Sequence, residues 1–286
     1  MSIPFFSVVI PALNEEKYLP NLLKDLGKQS LRDFEVIVVD GESSDQTVKY
    51  AKLVAHSLPL LTITTSTKRH VCTQRNLGAK GARADWLIFM DADNRLPPYF
   101  LQGVKYRLEQ SPTDVATCWI KSDGMTAKDK SIALAINYAQ EIMEKSKSPA
   151  MMESVVICGK RAFQKIGGFD ESVDIAEGTV FTKTALQKHL KYTIYRDPTY
   201  TYSFRRIRKY GALNIAGNLA QHEIAKLLDI PLSKAQIAKL YPMKGGTLFR
   251  SSTKKRNEFS NKITYFLREL RSPDTIKQKL QELLED

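Results

Sequence analysis

Two aspartates, Asp91 and Asp93, directly follow a short apolar run, Leu87 to Met90, and a single alanine separates them. On an extended segment, residues i and i+2 point to the same side, so the two carboxylates are expected to lie close together. Carboxylates that close repel each other unless a cation lies near them. Mg²⁺ and Mn²⁺ prefer oxygen ligands and commonly hold substrate phosphates as well. The pair therefore indicates a metal–diphosphate site, although an isolated Asp-x-Asp also occurs by chance on solvated loops.

The elements that must position this pair alternate along the first third of the chain. Short runs rich in β-branched residues alternate with helical spacings of apolar residues, which predicts a mostly parallel sheet with right-handed crossovers. The apolar runs are continuous, as in strands covered on both faces of a sheet. Strands are predicted within 5–15, 34–45, 60–66 and 86–93, and helices within 16–30, 47–57 and 75–83, with Ser43, Ser44 and Asp45 as candidate caps.

Acidic and polar residues follow three of these four strands. Ligands of such sheets bind beyond the carboxyl ends of the strands. The segments concerned are Asn14–Glu15, Asp40–Glu42 and Asp91–Asp93. Three such segments at one edge indicate a binding site there.

The second half is less regular, and it ends in a basic part. Helices are predicted within 97–110, 128–145 and 178–190, with extended segments at 114–122 and 191–203. The net charge of the 286-residue chain is +12, and the excess lies mainly after residue 190. We predict an α/β domain over 1–205 and a basic, mainly helical extension over 206–286.

Several protein classes are disfavoured by composition. A hydrophobic content of 43% is enough to build a core and is not typical of disordered chains. The three cysteines are far apart and show no metal or disulfide spacing, which favours reduced thiols. No apolar run approaches the ~20 residues that span a bilayer, and no secretory leader is recognised. We expect a cytoplasmic protein with possible peripheral contact at the inner face of the membrane, and no nucleic-acid partner.

The order of five motifs resembles glycosyltransferase family 2, whose members have the GT-A fold, a Rossmann-like α/β sheet. The motifs are PALNEE (11–16), VVDGESSDQT (38–47), RNLGAKGARADWLIFMDAD (75–93), GGFDE (167–171) and AEG (176–178). Each motif is modest, but the order is specific, and the resemblance covers about residues 5–205. It implies an enzyme that uses a nucleotide-sugar donor and a divalent metal, Mg²⁺ or Mn²⁺.

The resemblance assigns the nucleoside to the first two strand ends. Pro11, Ala12 and Glu15 would lie along the base and ribose, and Asp40 would accept a hydrogen bond from the base, as in relatives that read uracil. Many members carry a second acid directly after this aspartate. Here that residue is Gly41, so the contacts to the base are open to change.

The resemblance assigns the diphosphate and metal to the later motifs. Arg75 would approach the diphosphate, Asp91 would touch the ribose or donor sugar, and Asp93 would bind the metal, with Asp91 as a second ligand. Arg205 and Arg206 would stabilise the charge that develops on the leaving diphosphate. Alternatively, Arg75 is a surface cation and the later arginines belong to a basic surface.

The catalytic base is where the chain departs from the family. Inverting members usually show Glu-Asp at the start of the helix after GGFDE, and the Asp deprotonates the acceptor hydroxyl. Here the pair reads Glu177-Gly178. Glu177 is the first candidate base and Asp174 the second, and a weakened or inactive enzyme is a third reading.

The expected reaction is metal-dependent, inverting transfer from a nucleotide-sugar, UDP-linked by preference, to a hydroxyl of a saccharide or lipid-linked acceptor in cell-envelope, polysaccharide or glycolipid synthesis. The basic patches near 263–270 would suit a membrane surface; alternatively, this helix packs on the core and its basic face is solvated. Two alternatives are a catalytically impaired sugar- or nucleotide-binding protein of the same fold and a sugar nucleotidyltransferase. The second is disfavoured because the loop PALNEEK lacks glycine.

Overall fold

The computed structural model describes residues 3–144, 151–211 and 236. These residues belong to two units, which divide between Ser203 and Phe204. The predicted boundary after residue 205 lies two residues further along the chain. Most of the predicted basic extension, including the patch at 263–270, lies outside the described residues.

Strands and helices alternate through the first unit, and one short helix, α8, is described in the second. In chain order the elements are β1 (Phe6–Ala12), α1 (Leu19–Gly27), β2 (Phe34–Asp40), α2 (Thr47–Val54), β3 (Leu61–Thr65), α3 (Val71–Gly81), β4 (Trp86–Met90), α4 (Phe100–Gln110), β5 (Val115–Ser122), α5 (Ala127–Glu144), β6 (Val155–Gly159), α6 (Lys160–Ile166), α7 (Glu177–Gln187), β7 (Tyr192–Tyr202) and α8 (Arg205–Tyr210).

The strands of the first unit form one seven-stranded sheet in the order β3-β2-β1-β4-β6-β5-β7. β1 pairs in parallel with β2 and β4, and β2 pairs in parallel with β3. Only β6, among the described strands, runs against its neighbours β4 and β5. The predicted fold class, a mostly parallel sheet flanked by helices, is confirmed.

The parallel arrangement brings the ends of β1, β2 and β4 to one edge. Ala12 is paired with Asp40 in the register of β1 and β2, and Asp40 is paired with Thr65 on β3. β1 and β2 are buried along their whole length, which explains why their apolar runs are continuous and do not alternate.

Helix α3 packs closely against this half of the sheet. It begins at Val71, four residues before the predicted start, and ends at Gly81. A Cβ on Gly78 would lie 2.3 Å from Val9 Cγ1 and 3.1 Å from Val39 Cγ2. A glycine is therefore what allows the helix to approach the two strands.

An aromatic cluster fills the core between the sheet, α6 and α7. The rings of Phe169 and Phe181 are stacked with their centroids 4.5 Å apart, and Phe89 meets Phe169 edge-on at 5.0 Å. Such pairs add to the free energy gained by burying the rings. Phe169 belongs to the GGFDE motif, so this motif is anchored in the core.

Two further findings concern membrane-spanning helices and cysteines. No helix of the described residues is long and apolar enough to cross a membrane. Cys72, Cys118 and Cys158 are buried free thiols.

Candidate functional site

The loops after β1 and β2 are tied together at the carboxyl edge of the sheet. The Asn14 backbone N–H donates to Ser43 Oγ at 2.8 Å, and the Ser44 N–H donates to Asn14 Oδ1 at 2.8 Å. The Glu15 N–H donates to Thr47 Oγ1, also at 2.8 Å. These bonds fix the PALNEE segment next to the start of α2.

Asp40 ends β2 with an unsatisfied acceptor. Its Oδ2 accepts the Ser43 N–H at 3.1 Å, whereas its buried Oδ1 has no hydrogen-bond partner among the described residues. The side chain is only 4% exposed. A buried carboxylate oxygen without a donor is costly, so a ligand that brings an N–H group would be favoured here.

A glutamine fills the space beside Asp40 where the family usually has its second acid. A Cβ on Gly41 would lie 2.3 Å from Gln74 Nε2. This amide is buried and donates to the carbonyl oxygen of Ala12 at 3.2 Å. Gln74, and not an acid, therefore lies beside Gly41, the residue that follows Asp40.

Arg75 is the centre of a buried charge cluster. Its Nη2 donates to Asp91 Oδ1 and to the backbone oxygen of Glu153, both at 3.0 Å, and its Nη1 donates to Glu177 Oε1 at 3.1 Å. The side chain is 1% exposed, and its guanidinium lies 5.1 Å from the centroid of the Phe169 ring. This geometry supports a positioning role beneath the acids, and it does not support the alternative of a surface cation.

The backbone of Ser154 holds the loop that contains the two aspartates. Its carbonyl oxygen accepts the Asp91 N–H at 2.9 Å and the Asn94 side-chain amide at 2.7 Å. Asn94 is fully buried. The segment just before β6 therefore supports the loop after β4, and β6 itself pairs with β4.

The electrostatics of the Asp-x-Asp segment suit a cation. Loss of solvation raises the pKa of Asp91 to about 6; Arg75 opposes this shift, and the charges of Asp93 and Glu177 add to it. Asp91 remains 35% exposed, so it can reach a ligand.

The donor set by itself is incomplete for a metal. In the part of the chain that the structure describes, no group of three or more His, Cys, Asp or Glu side chains is arranged to hold a metal ion. Two carboxylates with other ligands drawn from phosphate and water are nonetheless a usual arrangement for Mg²⁺. Asp91 and Asp93 therefore fit a metal that arrives with a diphosphate.

A second carboxyl pair lies where α7 begins. Ala176 caps the helix in the left-handed region, with φ of 59°. Glu153 Oε1 accepts the backbone N–H of Gly178 at 3.1 Å, and the Glu153 and Glu177 carboxyls are hydrogen-bonded to each other. Desolvation, followed by the charge of Glu177 and this hydrogen bond, raises the pKa of Glu153 well above its usual value.

The other predicted residues lie on other loops and elements. Asp174 lies on the loop before α7, with Oδ1 3.5 Å from His70 Nε2. Arg205 and Arg206 begin α8 in the second unit. Pro11 and Ala12 are buried at the end of β1, and Glu15 is 6% exposed in the loop that follows.

The GGFDE motif is held by one asparagine of α3. Asn76 Oδ1 accepts the Phe169 N–H at 2.9 Å, and Asn76 Nδ2 donates to the Phe169 oxygen at 2.9 Å. Gly167 and Gly168 have φ of 97° and 82°, so the glycines are needed for the turn. The motif thereby places Phe169 against Arg75.

Sequence reasoning missed two residues of this site, Glu153 and Gln74. Glu153 is an isolated acid before an apolar run, SVVIC, and Gln74 directly precedes a predicted site residue. Neither has a pattern of its own. The signal for each is a glycine where the family usually has an acid: Gly41 for Gln74 and Gly178 for Glu153.

Comparison with known proteins now identifies the family. Residues 7–190 match the family described as Glycosyl transferase family 2. The chain belongs to this family. The predicted resemblance is thus confirmed over more than half of the chain.

Two relatives show how far the similarity of this family 2 chain extends. An uncharacterised glycosyltransferase of Haemophilus influenzae is 28% identical over 187 residues, which is 64% of this chain and 62% of that protein. The poly(ribitol-phosphate) beta-N-acetylglucosaminyltransferase TarS of Staphylococcus aureus is 24% identical over 237 residues, which is 81% of this chain and 41% of TarS. The chain thus spans less than two thirds of either relative.

Solved structures share the fold of this family 2 chain. TarS 1–349 of S. aureus in complex with UDP-GlcNAc has a TM-score of 0.58 at 20% identity, with 84% of this chain and 71% of that chain covered. The mannosyltransferase PcManGT of Pyrobaculum calidifontis, in complex with GDP-Man and Mn²⁺, has a TM-score of 0.61 at 18% identity, with 99% and 86% covered. These likenesses support the fold.

Proposed function

We propose that this family 2 protein transfers a sugar from a nucleotide-diphospho-sugar, most readily a UDP-sugar, to an acceptor hydroxyl with inversion. The observation that carries the proposal is the edge formed by β1, β2 and β4. Asp40 presents an unpartnered buried acceptor there, and Asp91, held by Arg75 at 3.0 Å, precedes Asp93. One end of this edge suits a base N–H and the other suits a metal-bound diphosphate.

The two ends match the two parts of a nucleotide donor. A carboxylate acceptor such as Asp40 suits an N–H of the base. Asp93 and Asp91 would hold a divalent metal, which when bound neutralises the diphosphate and improves it as a leaving group. Related structures contain UDP-GlcNAc or GDP-Man with Mn²⁺, which is consistent with such a donor and leaves the choice of base to experiment.

The residues of the chain have three tasks in this reaction. Arg75 holds Asp91 and Glu177 in position through bonds of 3.0 and 3.1 Å. A carboxylate beside the first turn of α7 takes the proton of the acceptor hydroxyl, and Glu177 is the first candidate that the sequence offers. Arg205 and Arg206 are proposed to contact the leaving diphosphate, and Asp174 is the second candidate base.

The name of one relative bears on the class of acceptor. TarS acts on poly(ribitol-phosphate) by its name, and this favours a saccharide or lipid-linked acceptor of the cell envelope. Peripheral contact with the inner face of a membrane through the basic extension remains a prediction, because residues 212–235 and 237–286 lie outside the described residues.

The test is the release of UDP from UDP-GlcNAc, UDP-glucose and UDP-galactose, with water as acceptor and with Mn²⁺ present or removed by EDTA. We expect Mn²⁺-dependent release from at least one donor and its loss in Asp93→Asn. Asp85→Asn is the matched control, since this exposed aspartate lies just before the opposite end of the same strand. Binding of UDP without release would favour the catalytically impaired alternative, and neither binding nor release would contradict the proposal.

A further inference from the structure

The missing acid at position 178 leaves a space that another side chain occupies. A Cβ added to Gly178 would lie 2.5 Å from Glu153 Cγ, 3.3 Å from its Cβ and 3.4 Å from its Cδ. Real Cβ atoms do not approach heavy atoms to 2.5 Å, so an aspartate at 178 and Glu153 in this conformation exclude each other. The side chain of Glu153 therefore lies where the aspartate of other family members would lie.

The carboxylate of Glu153 is also held in this space. Its Oε1 accepts the Gly178 N–H at 3.1 Å, in the first turn of α7. Free N–H groups and the helix dipole favour a negative charge at this end of a helix, but burial and the charge of Glu177 outweigh this effect and raise the pKa of Glu153, which makes its carboxylate a stronger base. The backbone oxygen of Glu153 accepts a hydrogen bond from Arg75 Nη2 at 3.0 Å. Both the backbone and the side chain of Glu153 are therefore held in place.

Glu177 is less suited to meet an acceptor. Its side chain is 9% exposed and its Oε1 is engaged by Arg75 at 3.1 Å. Glu153 is partly exposed, whereas Glu177 is buried. Of the two hydrogen-bonded carboxyls, Glu177 is thus the one engaged by the arginine, and Glu153 is the more exposed residue.

We infer that Glu153 is the catalytic base, supplied from the segment before β6 in place of the acid that position 178 lacks, and that Glu177 is a positioning residue. This inference rests on the proposed function. In the step, a Glu153 carboxylate oxygen takes the proton of the acceptor hydroxyl as the acceptor oxygen bonds to the anomeric carbon. The bond from that carbon to the diphosphate oxygen breaks, and its electron pair leaves with the nucleoside diphosphate.

The inference is tested by moving the carboxylate back to position 178. Four variants of the full chain are compared with the wild type: Glu153→Gln, Glu153→Ala, Glu153→Ala with Gly178→Asp, and Glu153→Ala with Gly178→Asn. The measurements are UDP release from the UDP-sugar that the wild type uses best, calorimetric binding of UDP with Mn²⁺, and the melting temperature. The asparagine variant is the matched control, because it has the shape of aspartate without the charge.

We expect Glu153→Gln to bind UDP as the wild type does and to lose about 100-fold or more in turnover, as for removal of a general base. The aspartate double variant should recover at least tenfold over Glu153→Ala, and the asparagine double variant should not. Turnover of Glu153→Gln within threefold of the wild type would overturn the inference, as would equal recovery by asparagine or no recovery by aspartate. If the wild type neither binds UDP nor releases it, the proposed function fails and the inference falls with it.

Discussion

Arg75 Nη2 lies 3.0 Å from Asp91 Oδ1, and the Nη1 of the same guanidinium lies 3.1 Å from Glu177 Oε1. One buried cation thus joins the loop after β4 to the first turn of α7. The two parts are 86 residues apart in sequence, from 91 to 177. The donor end and the acceptor end of the proposed site consequently depend on one side chain.

Replacing Arg75 should cost both stability and activity. Removal of one partner from a buried ion pair leaves a charge without compensation, at a cost of about 3–5 kcal/mol. We therefore expect Arg75→Ala to lower the free energy of unfolding by this amount in urea titrations followed by circular dichroism. Lys80→Ala, on the exposed side of the same helix, should change it by less than about 0.5 kcal/mol. Equal effects of the two substitutions would contradict the role of the cluster.

Two glycines of α3 should respond in opposite ways to alanine. At Gly78 the new Cβ would lie 2.3 Å from Val9 Cγ1, whereas at Gly81 nothing lies within 4 Å. Overpacking of this kind costs about 1–3 kcal/mol, while alanine in an open helical position stabilises by up to about 1 kcal/mol. Thermal melts of Gly78→Ala and Gly81→Ala should therefore shift in opposite directions, and a stabilised Gly78→Ala would show that α3 does not approach the sheet so closely.

Glu35 should make the folded chain less stable as the pH is lowered. Burial raises the pKa of this carboxyl, but hydrogen bonds from Ser7 and Arg83 and the charge of Arg83 outweigh it, so the pKa is below its usual value in the folded chain. The contribution of Glu35 to the free energy of unfolding is thus fully present above the pKa of the unfolded chain, about 4.3. It is lost as the pH falls through the lower pKa of the folded chain.

The comparison of wild type with Glu35→Gln isolates this contribution. We expect the wild type to be the more stable at pH 7 and the difference in melting temperature to shrink progressively below about pH 4.3. A difference that is constant between pH 7 and pH 3 would show that the Glu35 carboxylate is not stabilised by Ser7 and Arg83.

The asparagine that clamps the GGFDE motif should be sensitive to loss of its amide N–H groups. Asn76 Nδ2 donates to the Phe169 oxygen and to Glu171 Oε1 at 2.9 and 3.2 Å. Asn76→Asp removes both donors and adds a charge beside Glu171, so we expect a loss of about 1–3 kcal/mol in urea unfolding. Asn21→Asp, at a half-buried asparagine whose amide donates to the Lys17 oxygen only four residues away, is the matched control. An equal response of the two variants would contradict the clamp.

The sequence was sufficient for the sheet and its polar edge, since apolar runs that end in acids report directly on buried strands. It was less informative where contacts join distant segments. The burial of Arg75 depends on the segment before β6 and on Glu177, and α3 begins at Val71 because of packing that a local pattern does not contain. The candidate caps before α2 were only partly predicted. The Thr47 N–H donates to Asp45 at 2.9 Å and not to Ser43 or Ser44.

Glu153 and Gln74 show the limit of motif reasoning most clearly. A motif records which residue type stands at a position, and at positions 41 and 178 it records only a glycine. The structure shows that a side chain from another element fills each space, Gln74 at Gly41 and Glu153 at Gly178. Both partners are distant in sequence from the glycine, so only the folded chain reveals the replacement.

The measurement that tests the central claim most directly is the shift in melting temperature of the full chain with UDP, GDP, CDP or dTDP, each with and without Mn²⁺. A ligand that binds the native state raises this temperature. We predict a Mn²⁺-dependent shift with one nucleotide, UDP, that is lost in Asp93→Asn and reduced in Asp40→Asn but kept in Asp85→Asn. The absence of a shift with all four nucleotides would contradict a nucleotide-sugar site at this edge of the sheet.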